Sequence, residues 1–264
     1  MIVPETLCSN LYQFAFCPEP CYDRLVDLAD REDWGPNNRI LKNYLSFSFS
    51  RAVNLVERDA DGAVSPSTLP LVFDRDLCLF NTGLYTPRYE TVYALFEPNA
   101  KPDARQRWFL KGFFKESDPA LVSFEYLPCR VRFAEDPSEL VFDYRLPIRS
   151  NIDHILGDEE NLSRIPKVLM GEGNSLLLRR AFEGAVVEAA RRAAANYTLA
   201  VPQFYGGRIQ LLLPLCLTGD KPELALTIQR EDGFYAARTC LTLDMAYNNA
   251  RLICRPETSW IKRD

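Results

Sequence analysis

The chain has 264 residues, of which 47% are hydrophobic and 25% charged, with 12 Gly and 18 Pro. This excludes collagen-like, low-complexity and disordered classes and suffices for one large core or two modest ones. Lys and Arg number 31 against 36 Asp and Glu, a net charge of -5, so bulk electrostatics would not hold the chain on duplex nucleic acid and any RNA contact must come from a local site.

The opening Met1-Ile2-Val3-Pro4-Glu5 has neither a basic start nor an apolar run, and nothing in it reads as a secretory signal. The longest apolar stretches, such as Leu211 to Leu217, fall far short of the roughly 18 residues of a spanning helix. A cytoplasmic protein with no membrane partner is expected. The 8 Cys sit largely inside apolar strings and read as reduced core residues. Cys17-Pro-Glu-Pro-Cys21 has the spacing of half a zinc site, but no second close pair or His partner completes the four ligands, so neither a metal nor a cofactor is expected.

In chain order, residues 19–32 and 38–57 read as helices, the second placing Leu41, Leu45, Phe49, Val53 and Val56 on one face. After a loop over 59–66, the runs Leu77 to Asn81, Thr91 to Glu97 and Arg107 to Phe114 are rich in β-branched and aromatic residues and predict an antiparallel meander. Leu140 to Tyr144 reads as a further strand. Asn174 is placed to cap a helix running to Tyr197, with Leu178, Phe182, Ala185, Ala189, Ala193 and Tyr197 along one stripe. Strands follow at about Arg208 to Leu217, Glu223 to Arg230 and Phe234 to Leu243, the last two joined across Glu231-Asp232-Gly233, and a short helix closes the chain. Segregated helices with hairpin-length connections predict an α+β fold with an antiparallel or mixed sheet, a long packing helix and N-terminal helices. No repeat or linker is apparent, which predicts a single domain over residues 1–264, its helices at about 19–57 being an integral part or an appendage.

The inventory narrows the chemistry. The single histidine, His154, excludes paired-histidine metal and phosphodiesterase sites, and no Gly-x-Ser-x-Gly, Walker or Gly-x-Gly-x-x-Gly pattern occurs. Asp74 and Asp76 could share an ion from one strand face, although turn charges are the more economical reading. The richest local chemistry is Arg149-Ser-Asn-Ile-Asp153-His154, followed by Lys167. An imidazole there can pass a proton or attack phosphorus, with Asp153 beside it and with Arg149 and Lys167 clamping phosphate; the alternative is a histidine that merely packs a turn. Met170-Gly-Glu-Gly-Asn-Ser175 precedes the long helix, where free N–H groups attract anions, although Glu172 repels them and a Gly before an Asn cap is ordinary loop grammar.

Three further strings suit a nucleobase. Asn81-Thr82-Gly83 ends a predicted strand, where Gly admits a ligand to the backbone and Asn or Thr can bond it, or where a turn simply closes. Gln203, Tyr205, Arg208 and Gln210 in one string, and Tyr247, Asn248, Asn249 and Arg251 in another, combine amides that can pair with a base edge, tyrosines that can stack on it and arginines that can hold phosphate. Each could instead satisfy buried backbone groups. Asp244, at the head of the second string, is the alternative catalytic group should His154 not carry the chemistry.

The strings Ile40-Leu-Lys-Asn-Tyr-Leu45, Phe80-Asn-Thr-Gly-Leu84, Ala200-Val-Pro-Gln-Phe-Tyr205, Ile209-Gln-Leu-Leu-Leu-Pro-Leu215 and Leu241-Thr-Leu-Asp-Met-Ala-Tyr-Asn-Asn-Ala-Arg251 together resemble a bacterial domain-of-unknown-function family. Its members are often joined to LOTUS-type winged-helix or cold-shock modules, so the resemblance, which covers most of the chain, implies a nucleotide or RNA partner. It brings no catalytic residue with it. Two readings therefore stand: a hydrolase or transferase acting at a phosphate of a nucleotide, dinucleoside polyphosphate or RNA end, and a non-catalytic module that binds nucleotide or RNA. The sequence leaves the oligomeric state open.

Overall fold

The computed structural model describes residues 7–58, 68–101, 103–171 and 173–261, and the predicted loop at 59–66 lies outside them. The fold is α+β. The chain divides at 132/133 into two compact units, and the helices within 19–57 belong to the first of them.

In the first unit a single turn, α1 (Leu11–Phe14), leads into a two-residue edge strand, β1 (Ala15–Phe16), and then into α2 (Glu19–Leu28) and α3 (Arg39–Arg58). Asn10 caps α1 by accepting from the backbone N–H of Tyr12 and Gln13. Four strands follow: β2 (Leu71–Asp74), β3 (Leu77–Tyr85), β4 (Thr91–Pro98) and β5 (Trp108–Lys115). The sheet order is β1-β5-β4-β3-β2, antiparallel except that β1 runs parallel to β5. The helical spacing of Leu41, Leu45, Phe49, Val53 and Val56 does mark the buried face of α3. Phe49 sits edge-on to Phe80 at 5.5 Å and Phe96 at 6.1 Å, while Phe14 stacks on Trp108 at 5.6 Å. The opposite face of the sheet carries Leu79, Tyr93 and Leu95, covered by Leu121 and Phe124 of the segment after β5.

The second unit opens with another two-residue edge strand, β6 (Ile148–Arg149), then α4 (Ile152–Gly157), α5 (Glu159–Arg164) and the long α6 (Ser175–Ala195). Next come β7 (Val201–Tyr205), β8 (Arg208–Leu215), β9 (Leu224–Glu231), β10 (Phe234–Thr242) and α7 (Leu243–Arg251). The order is β6-β10-β9-β8-β7, with β6 parallel to β10 and the rest antiparallel. Leu178, Phe182, Ala185, Ala189 and Ala193 of α6 pack on Leu211, Leu213, Leu215, Leu224, Leu226 and Ile228.

Several expectations need correcting. Tyr197 lies beyond α6 and is exposed, because the helix ends at Ala195 and Asn196 turns to an extended conformation. Asn174 occupies the cap position of α6 without a side-chain capping bond. Leu140 to Tyr144 is not a strand: Asp136 accepts from Ser138 N–H to form a short 3-10 turn over Pro137–Leu140, and Asp143 then caps the turn at Arg145. Asp74 ends β2 and Asp76 is the second residue of the two-residue turn into β3, in which Arg75 takes φ 50°, so the reading of these carboxylates as turn charges holds. Not every cysteine is core, since Cys254 is exposed. The sequence shows no repeat, yet the same order of edge strand, helices and four-strand meander occurs twice. Trp108 and Tyr235 lie opposite the first residue of their edge strands, and three residues later each last strand bulges, at Lys111 and at Arg238.

Candidate functional site

The side chains that converge do so on the face of the second sheet turned away from α6. Side chains alternate along a strand, so with Leu211 and Leu213 facing the helix, Gln210 faces the other way. Gln203 is its direct cross-strand partner, and Tyr205 and Arg208 form the next pair outward, at the turn. That turn is Gly206-Gly207, with φ of 58° and 80°, the left-handed conformations a two-residue hairpin needs and glycine adopts without strain.

The amides form a chain across the strands. Asn249 of α7 donates to Gln203 Oε1 at 3.0 Å, Gln203 Nε2 donates to Gln210 Oε1 at 2.9 Å, and Gln210 Nε2 donates to Gln229 Oε1 at 3.2 Å. Gln229 Nε2 in turn donates to Glu231 at 2.9 Å, and Glu231 also accepts from the Arg238 guanidinium. The chain thus ends on a carboxylate held by a cation, which orients every amide the same way and strengthens each bond by polarising the next. Gln203, Gln210 and Gln229 are only 2%, 7% and 9% exposed, whereas Tyr205 is 66% exposed. Sequence reasoning missed Gln229, Glu231 and Arg238. Only the cross-strand register, with Leu211 opposite Ile228, brings them beside Gln210.

Because β8 and β9 are antiparallel, the β7–β8 and β9–β10 turns lie at the same end of the sheet. Arg149 of β6 reaches that end too, its guanidinium 4.3 Å from the centre of the Phe234 ring. Arg230 and Arg145 approach Asp143 there, at 3.9 and 2.7 Å. Bonds from the Arg145 guanidinium, and from its backbone N–H, hold the Asp143 carboxyl down to about 2.

The other predicted residues lie elsewhere. His154 is exposed on α4, and the Asp153 carboxylate beside it is bound to Arg179. Arg179 and Asp153 sit on the rim of a cleft of about 510 Å³ whose walls include Leu156, Leu162, Leu169 and Leu178. Lys167 is exposed in a short 3-10 turn. Of the Met170–Ser175 loop, Met170, Gly171 and Ser175 line the same cleft, and Glu172 lies outside the described residues.

Asn81, Thr82 and Gly83 belong to the first unit and build a bulge between β3 and β4. Asn81 donates to Pro128 O at 2.8 Å and accepts from Gly83 N–H, Thr82 bonds Val92 O, and Tyr44 donates to Thr82 O at 2.7 Å. Their polar atoms serve the main chain. Gly83 has φ 71°, and a Cβ there would lie 2.5 Å from the Tyr44 hydroxyl. On α7, Tyr247 and Arg251 are buried, Asp244 is exposed in the first turn, and Asn248 donates back to Asp244 O at 2.9 Å. Burial pushes the Cys17 thiol up to about 12. No helix among the described residues is long and apolar enough to cross a membrane.

Residues 25–260 match the model of the family described as Domain of unknown function (DUF3825), and the chain belongs to that family. No curated protein and no solved structure matches it.

Proposed function

We propose that this DUF3825 chain binds nucleotide or single-stranded RNA, and that the turn end of the second sheet, on the face opposite α6, is where it does so. One observation carries the reading: the Tyr205–Arg208 pair is exposed, and the next pair inward on the same face is Gln203–Gln210. Two residues along a strand span roughly 6.6 Å, so a base stacked on the Tyr205 ring brings its edge toward the amide pair, while Arg208 and Arg149 supply charge for phosphate. An acidic chain can bind a polyanion this way because the cations are local, and fusion of family members to RNA-binding modules would fit that role.

The gathered residues are those of recognition rather than proton transfer. His154 stands on a different element, and its neighbour Asp153 is already paired with Arg179, so the non-catalytic reading is the better supported of the two. The test is fluorescence anisotropy with labelled single-stranded RNA decamers, comparing the native chain with Tyr205→Ala and Arg208→Ala. Each substitution is expected to weaken binding about tenfold, a stacking or phosphate contact being worth roughly 1–3 kcal/mol. Failure of the native chain to bind, or unchanged affinity in both variants, would reject the proposal.

A further inference from the structure

We infer that the two units are copies of one module, and that in the second copy the sheet face opposite the long helix has been converted from packing surface into base-reading surface. This deepens the reading above and rests on it. The strand order is the same in both units, and each closes with a two-residue edge strand parallel to the last strand of the meander. Finer details coincide. Trp108 and Tyr235 hold matching edge positions, and each stacks on an upstream ring, Phe14 or Phe142. The bulge three residues later carries a cation in both, Lys111 bonded to Glu97 and Arg238 bonded to Glu231. The bulges share their distance from the edge-strand contact but sit two residues apart on the neighbouring strand, opposite Leu95 and Phe96 in one unit and opposite Thr227 and Ile228 in the other.

With the copies matched, the difference between them becomes informative. In the first, the residue two before the first hairpin turn and its neighbours across the next two strands are Val72, Leu79 and Leu95. In the second, the corresponding row is Gln203, Gln210 and Gln229. The module therefore folds with aliphatic side chains in this row, and three buried amides have to be desolvated without being needed for the architecture. A second observation points to a ligand. Thr227, two residues from Gln229 on the same face, is 1% exposed, and its hydroxyl finds no hydrogen-bond partner among the described residues. The Asn248 carbonyl on the overlying α7 is buried and unpartnered in the same way. Each amide of the row keeps one N–H and one carbonyl lone pair beyond its bond to the next, and these, with the Thr227 hydroxyl and the Asn248 carbonyl, are the donors and acceptors offered to the edge of a base.

The test replaces the row with that of the first unit, Gln203→Val, Gln210→Leu and Gln229→Leu, alongside the single variant Gln210→Met, which keeps side-chain length. Thermal unfolding and anisotropy with labelled rA, rC, rG and rU decamers are measured for each. The expected result is a Tm equal to or above that of the native chain, with residual binding through Tyr205 and Arg208. A native preference among the four bases of about tenfold should shrink to within about twofold in both variants. The inference is overturned if the native chain binds all four decamers equally, if the preference survives in the variants, or if the triple variant unfolds. Absence of binding by the native chain would instead remove the functional reading on which it rests.

Discussion

The two units differ most in what they place on the sheet face opposite the long helix. In the first, Leu79, Tyr93 and Leu95 meet Leu121 and Phe124; in the second, Gln203, Gln210 and Gln229 run in a hydrogen-bonded row beneath α7. On the helix side the two agree, with Phe49 against Phe80 and Phe96 in one, and Phe182 among leucines of β8 and β9 in the other. The side that makes the fold is therefore conserved in kind between the units, and the side free to vary carries the polar chemistry. Function is sought on the face that the architecture does not need.

The largest effects should come from the shared side. Phe49→Ala and Phe182→Ala each empty a fully buried ring position and should each destabilise the chain by about 3–5 kcal/mol in denaturant unfolding. A large loss from only one of them would break the equivalence of the units. Next in size is the reverse exchange on the varying side. Leu79→Gln puts an amide among Tyr93, Leu95 and Phe124 without a built partner, and a loss of about 2–4 kcal/mol is expected from urea midpoints. Tolerance within about 0.5 kcal/mol would show that the first unit also accepts polar groups there, and the contrast would dissolve. Gly83→Ala should cost about 1–3 kcal/mol through its left-handed backbone and the crowding at Tyr44, read from the same midpoints; a neutral result would deny that the bulge is locked.

The smallest effect concerns charge at the turn end of the second sheet. Asp143 is held down to about 2, so its contribution is present above the ordinary carboxylate range near 4 and is lost as pH falls from about 4 toward 2. Asp143→Asn should flatten that part of the stability profile. It should also release Arg145 and Arg230 and tighten RNA binding a few-fold at low salt, an effect that fades with added salt. A few-fold loss of affinity would mean that the carboxylate positions these arginines rather than competing for them.

Much of the fold was legible because hydrophobic spacing is a local signal. The faces of α3 and α6 and the strands at 77, 91, 208, 224 and 234 all follow from it, as does the hairpin at Asp232-Gly233. The edge strands Ala15–Phe16 and Ile148–Arg149 were not legible, since two residues carry no period and their pairing with β5 and β10 is long-range. The duplication was hidden for a related reason. It survives as strand order, edge-strand pairing and residue class, with Trp108 matching Tyr235 and Lys111 matching Arg238 along the last strand, and not as identical letters at a fixed interval. Of the site residues, Gln203, Tyr205, Arg208 and Gln210 shared a hairpin and could be read together, while Gln229 and Glu231 needed the strand register. Asn81 and Thr82 misdirected the reading because a bulge consumes the same polar atoms a ligand would.

The central claim is most directly tested by following the side-chain amide NMR signals of glutamine during titration with a mononucleotide. The account predicts that the signals of Gln203, Gln210 and Gln229 move together with those of the Tyr205 ring, while glutamines outside this face stay still. Movement confined to the cleft beside Asp153 and Arg179, or none at saturating nucleotide, would contradict it.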